Sequence, residues 1–133
     1  MTVLIDTSVL LDVIVASDWR SWSEARLSEC ADGDDLAINQ VIYAELAPAF
    51  TSRETLDRRL QGVGLRRLSL PWASSWLAST AFIAYRRTGG VRSAPLPDFF
   101  IGAHAQASGL TLLTRDPARI RSYFPSVALI APE

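Results

Sequence analysis

Five short stretches, apolar runs or alternations near residues 2–6, 36–39, 66–70, 110–114 and 127–130, are separated by segments of helical character. That alternation constrains the chain more than anything else in it. Strands that take turns with helices build an α/β fold, with a central, largely parallel sheet flanked by helices. Helices are expected over 7–16, 20–31, 40–50, 53–62, 72–87, 97–108 and 117–122. Thr7 and Ser8 are good helix-start types, Gly62 reads as a stop signal, and Pro97 with Gly109 brackets the sixth helix in the usual "Pro in, Gly out" sense. Pro48 lies inside the third helix and should kink or end it near Ala44–Ala47, because proline lacks a donor and clashes with the carbonyl four residues back. No repeat, linker or low-complexity tract interrupts the pattern, so residues 1–133 are read as a single domain.

The first run ends in "VLIDTSVLLD". A carboxylate at the end of a buried strand is costly unless it is paired or bound to a metal. Asp6 holds that place in the first strand and Asp116 in the fourth. Asp98 opens the helix that leads into the Asp116 strand, and Glu45 sits in the apolar stretch "QVIYAELAPAF". A parallel sheet brings strand ends to one edge, where ligands of α/β folds bind. Taken singly, Asp6 and Asp98 could be helix-start residues and Asp116 the first residue of an Asp-Pro turn. Gathered together, the four would repel unless some stayed protonated or a cation intervened. Mg²⁺ or Mn²⁺ suits oxygen ligands and leaves room for a substrate phosphate. One histidine and no cysteine pair disfavour zinc. Phosphodiester hydrolysis is the chemistry that fits such a site. Thr7, Ser8 and Thr114 stand beside the acids and can hydrogen-bond a carboxylate or a bound water.

Composition narrows the partners. Residues 1–52 carry nine acids and two arginines, while residues 53–133 carry eleven arginines and five acids; all thirteen basic residues are arginine. The net charge of −1 therefore hides a basic second half. Any basic surface must be local, and an RNA partner stays open. No apolar run approaches the ~20 residues that span a bilayer, no basic region precedes the first one, and the lone Cys30 cannot form an internal disulfide. A cytoplasmic protein with no membrane association is the expectation, with Cys30 a small helix residue.

The blocks "IDTSVLLD", "INQVIYAEL", "PDFFIGAHAQASGLTLLTRD" and "YFPSVALI" resemble the PIN domain of VapC-type toxins over essentially the whole chain. The resemblance implies a parallel sheet between helices with acids clustered at the strand ends. It implies a Mg²⁺-dependent (Mn²⁺ as substitute) endoribonuclease, the toxin of a toxin–antitoxin pair, acting on structured RNA and on tRNA above all. It also implies a homodimer and a cognate antitoxin whose C-terminal segment lies over the active site. Carried over residue by residue, the four catalytic acids are Asp6, Glu45, Asp98 and Asp116. Asp6, Asp98 and Asp116 are read as metal ligands, and Glu45 as a ligand or a water-orienting group. Many family members have Asn where this chain has Ser8, and serine keeps an oxygen near the first acid. The alternative is a catalytically silent PIN-fold module that only binds a protein. A phosphatase of the haloacid-dehalogenase type is disfavoured, since it needs a second Asp where Ser8 stands and a downstream Lys that this chain lacks.

The remaining polar residues have plainer expectations. His104 lies six residues beyond Asp98, about 120° away around a helix, and is read as structural or surface-exposed. Asp12 is read as solvated or structural, with an arginine of this chain or of the antitoxin as partner. Asn39 is read as a local cap. "RRTGGVR" (86–92) looks like a mobile loop, and Arg86, Arg87, Arg92 and Arg115 are candidate RNA contacts; Arg115 could instead meet the antitoxin. Trp19/Trp22 and Trp72/Trp76 fall at helical spacing. Core packing is expected of them, with partner docking as the alternative.

Overall fold

Val3, Leu4 and Ile5 are completely buried, and they form the middle strand of the sheet. The computed structural model describes residues 1–91 and 96–133. In chain order it runs β1 (Thr2–Ile5), α1 (Thr7–Ile14), α2 (Arg20–Ala31), β2 (Asp35–Ile38), α3 (Gln40–Leu46), a 3₁₀ turn (Ala47–Ala49), α4 (Arg53–Val63), β3 (Arg66–Arg67), α5 (Trp72–Arg87), α6 (Pro97–Ser108), β4 (Thr111–Leu113), α7 (Ala118–Tyr123) and β5 (Leu129–Ile130). The strands lie in the order β3-β2-β1-β4-β5, and every pairing is parallel. This is the expected α/β architecture. The inner strands read as unbroken apolar runs because helices cover both faces of a parallel sheet.

The strand order positions the site. From β1 the chain moves outward to β2 and β3, then returns across the sheet through α5 and α6 to lay β4 on the other side of β1. Connections therefore diverge between β1 and β4, the switch point at which open α/β sheets leave a crevice. The register sets Ile5 beside Leu113, so Asp6 and Thr114 emerge side by side. The Asp6 amide donates to the Leu113 carbonyl at 2.9 Å.

Several helix ends differ from expectation for local reasons. α3 stops at Leu46, and Pro48 sits in the 3₁₀ turn that follows, as a proline four residues past a needed carbonyl requires. Gly62 does not end α4; the helix runs through it to Val63 and closes on Gly64, whose φ of 79° supplies the left-handed residue the cap needs. β3 is only Arg66–Arg67 and exposed, shorter than the run 66–70. An arginine pair blunts the edge against further strand pairing. β5 likewise covers only Leu129–Ile130, since Val127 is taken up in a turn on the Phe124 carbonyl.

The core forms between α1, α3 and α6 and the sheet, with Phe99, Ile42, Leu46, Ile101 and Leu112 fully buried. Each large side chain removed from water contributes about 1.5–3 kcal/mol. Gly102 lets α7 approach α6 closely, since a Cβ there would strike the Phe124 ring. Cys30 is buried with Ser23 and Leu27 on the inner face of α2. Trp22 packs against the core as expected, but Trp72 and Trp76 do not and are 92% and 77% exposed. α5 buries its small residues, Ser74, Ala78 and Ala81, against its neighbours, which turns the bulky rings outward. Trp19 packs edge-on to Trp22 near the surface. Among the described residues no helix is long and apolar enough to cross a membrane.

Candidate active site

A cavity of about 280 Å³ opens at the switch point. Its wall contains all four acids, Asp6, Glu45, Asp98 and Asp116, together with Thr7, Ser8, Arg115 and the apolar Leu11, Ile101 and Ile120. Its wall is built from the end of β1 with the start of α1, the last turn of α3, the start of α6, the segment after β4, and α7 through Ile120.

Asp6 is the most fully held. One carboxylate oxygen accepts from the Thr7 amide at 2.9 Å, making Asp6 the N-cap of α1. The other accepts the Ser8 hydroxyl at 2.9 Å and the Thr114 hydroxyl at 2.7 Å. Thr114 belongs to the neighbouring strand end, so this bond ties β4 to β1 above the last ladder bonds. Burial pushes the Asp6 carboxyl above its ordinary range, these hydrogen bonds pull against it, and the charge of Asp98 adds to the rise. Glu45, on the rim, accepts the Thr7 hydroxyl at 2.7 Å. Desolvation raises its carboxyl as well, with Asp6 and Asp98 contributing repulsion. Among the described residues neither Asp6 nor Glu45 has an ion-pair partner.

The other two acids are held by arginines. Arg119 donates to Asp98 at 2.8 Å, and its guanidinium lies 5.8 Å from the centres of the Tyr85 and Phe99 rings. Asp116 is 67% exposed and lies 3.6 Å from the Arg115 guanidinium. Its amide donates to the Thr114 hydroxyl at 3.1 Å. As the side chains stand, no three Asp, Glu, His or Cys groups among the described residues converge as a ready cation site.

Each of the three neighbouring hydroxyls thus donates to an acid: Thr7 to Glu45, and Ser8 and Thr114 to Asp6. Ser8 does double duty, since its oxygen also accepts the Arg115 amide at 3.2 Å. His104 is buried and structural. It meets the Asn39 side chain at 2.9 Å, and desolvation lowers its basicity. Asn39 is the N-cap of α3 through the Ile42 amide. Asp12 is not solvated; it is 1% exposed and binds Arg115. Arg86 and Arg87 close α5 and do not line the cavity, and Arg92 lies outside the described residues. Three residues escaped the sequence reading. Arg119 stands 21 positions from Asp98, with no local pattern to pair them. Ser17 and Ser23 bind Asp12, and the only hint was a serine in line with Leu27 and Cys30 on the buried face of α2.

By sequence, no curated protein matches the chain. Its fold is similar to solved toxin–antitoxin complexes. Against VapBC2 from Rickettsia felis, bound to a DNA fragment from its promoter, the TM-score is 0.74 at 18% identity with both chains covered completely. Against VapBC-1 from nontypeable Haemophilus influenzae it is 0.73 at 17% identity, with 98% of each chain covered. Against a toxin–antitoxin complex from Klebsiella pneumoniae it is 0.68 at 20% identity, again over 98% of each chain. The family model of the PIN domain matches residues 3–123, the whole span from β1 to the end of α7. On the fold, the acid-lined cavity and that match, the chain belongs to the PIN domain family.

Proposed function

We propose that this chain is the ribonuclease toxin of a toxin–antitoxin pair, a Mg²⁺- or Mn²⁺-dependent endoribonuclease acting on structured RNA, with tRNA the first substrate to test. The observation that carries the reading is the meeting of Asp6, Glu45, Asp98 and Asp116 around one cavity. The likeness to toxin–antitoxin complexes supports it, and so makes a cognate antitoxin the expected protein partner. A second copy of the chain is also expected. The outward Trp72 and Trp76 offer a surface to either, tryptophan being favoured at interface centres.

The donor set fits a hard divalent cation. Asp6 and Glu45 are acids whose protonation burial favours and which no arginine among the described residues neutralises; a divalent cation would relieve that strain. Asp6, Asp98 and Asp116 are the residues that would hold it, and Asp98 would have to exchange its bond to Arg119 for the cation. When bound, the cation makes water more acidic and screens the phosphate's charge. The chain's own residues do the rest. Ser8, Thr114 and the Thr7 amide keep Asp6 in one rotamer. The Thr7 hydroxyl aims Glu45, and its raised pKa suits it to orient the attacking water and accept its proton. In-line attack leaves a 5′-phosphate and a 3′-hydroxyl.

The test is Asp98→Asn in the purified chain. Cleavage of tRNA with Mg²⁺ or Mn²⁺ should fall to background, with the fold intact by circular dichroism, and growth arrest on expression should vanish. Unchanged cleavage and arrest would remove this site from the reaction. A wild-type chain that cuts no RNA at any divalent concentration would make it a silent binding module.

A further inference from the structure

Behind the cavity, between α1 and α2, Asp12 carries a complete set of partners. The Ser17 hydroxyl reaches one carboxylate oxygen at 2.6 Å and the Ser23 hydroxyl the other at 2.7 Å. Arg115 Nε bridges both, at 3.1 and 2.9 Å. The Trp19 ring stands 5.8 Å from the guanidinium. A buried charge pair is expensive to desolvate and adds little to stability over an apolar pair of the same shape. What it does is fix a geometry. Arg115 lies between Thr114 and Asp116, and its backbone amide binds Ser8, which in turn binds Asp6. A closed ring of contacts therefore runs from Asp12 through Arg115 and Ser8 to Asp6 and back along α1.

We propose that Asp12 is a positioning residue of the hydrolytic site: it anchors Arg115, and through it the Thr114–Asp116 segment, so that the fourth acid and the Thr114 hydroxyl stand opposite Asp6. The inference rests on the ribonuclease reading of the cavity. It also gives Arg115 a different task from RNA contact. Its Nε is committed to Asp12, and Nη1 faces the Asp116 carboxylate. Without the anchor, the segment between β4 and Pro117 depends on the Ser8 and Thr114 hydroxyls and one ladder bond from the Thr114 amide to Ile130.

The experiment compares Asp12→Asn, Arg115→Gln and the double variant in the full-length chain. It measures Mn²⁺ affinity by calorimetry, amide exchange at residues 114–116, and kcat, KM and salt dependence of RNA cleavage. Loss of a group that orients metal-binding acids weakens metal affinity or activity by about 10–100-fold. Each single variant should show that loss in Mn²⁺ affinity and kcat, with faster exchange at 114–116 and unchanged KM. The double variant should be no worse than the worse single one, as expected of residues acting through each other. The salt slope of RNA binding should not change. If Arg115→Gln instead raises KM and lowers that slope by about one, Arg115 is a phosphate contact and the proposal fails. If folded variants keep wild-type Mn²⁺ affinity and kcat, the pair is only structural, which overturns it equally. Should Asp12→Asn fail to fold, Arg115→Gln, whose side chain is partly exposed, decides alone. A wild-type chain that cuts no RNA refutes the ribonuclease reading, while Mn²⁺ affinity in the variants still decides the anchor.

Discussion

Asp6 and Asp12 stand six residues apart on one strand–helix segment, and the fold treats them in opposite ways. Asp6 is surrounded by neutral donors, the Thr7 amide and the Ser8 and Thr114 hydroxyls, with other carboxylates facing it across the cavity. Desolvation wins, and its carboxyl is raised. The Asp12 side chain is almost out of reach of solvent, and desolvation acts on it too. The Ser17 and Ser23 hydroxyls and the Arg115 guanidinium outweigh that penalty and hold it below the usual range. Burial alone does not decide a carboxylate's charge; for Asp12 the two serine hydroxyls, with the guanidinium behind them, turn the balance. Asp12 has its cation inside the protein. Among the described residues Asp6 has none, and its partners are the Thr7 amide and two hydroxyls.

Breaking the Asp12 side of this contrast should have the largest effect on stability. Asp12→Ala leaves Arg115 without its partner and strands the Ser17 and Ser23 hydroxyls. A loss of about 3 kcal/mol is expected, seen as a fall in Tm of about 10 °C. Asp6→Asn removes a strained charge and should change stability by under about 1 kcal/mol in the absence of divalent ions, while RNA cleavage is lost. Equal destabilisation by the two variants would erase the distinction.

Divalent cations sharpen the Asp6 side. Mn²⁺ at a hundred times its Kd should stabilise the wild-type chain by about 2.7 kcal/mol in thermal or denaturant unfolding. Asp6→Asn should abolish that gain. A variant that keeps it would place the ion elsewhere.

The smallest effect expected is in pH dependence, and its sign differs between the two acids. Asp12 has a folded pKa below the usual 3.8. Its contribution is present above that value and is lost as pH falls through the lowered folded pKa. Asp6 has a folded pKa above 3.8. It favours the folded state at low pH, and that contribution is lost as pH rises through the raised folded pKa. Denaturant unfolding without divalent ions, from about pH 3 to 8, should therefore show Asp12→Asn removing stability that the wild type holds on the neutral side. Asp6→Asn should flatten the decline on the way up. Curves of one sign for both would contradict the assignment of opposite shifts.

Much of the fold was legible because its cues are local. The runs around Val3–Ile5, Leu36–Ile38 and Leu112–Leu113 are too short and too apolar for surface helices, and Pro48 and Gly109 mark real helix ends. The four acids stood out as charges in apolar settings. Gly62 misled because glycine is tolerated inside a helix, and only the backbone shows that Gly64 takes the positive φ. Trp72 and Trp76 misled because apolar periodicity does not say which face a neighbour will cover. α6 packs on the face of α5 that carries its small residues with Phe82 and Tyr85, and the two tryptophans face out.

The amino-acid sequence by itself determined the α/β alternation, the strand-end placement of Asp6 and Asp116, and the hydroxyl neighbours Thr7, Ser8 and Thr114. These depend on residue type and on separations of one or two positions, whereas the acids that Thr7 and Thr114 serve lie 38 and 108 residues away and were set by the fold. Pairings across 21 residues, as between Asp98 and Arg119, or across 103, as between Asp12 and Arg115, leave no mark in a periodicity. Only the strand order β3-β2-β1-β4-β5 sets β4 beside β1, and with it the segment after β4 against α1. That tertiary choice decided that Asp12 is neutralised by Arg115 and that Asp6 shares a cavity with the other acids.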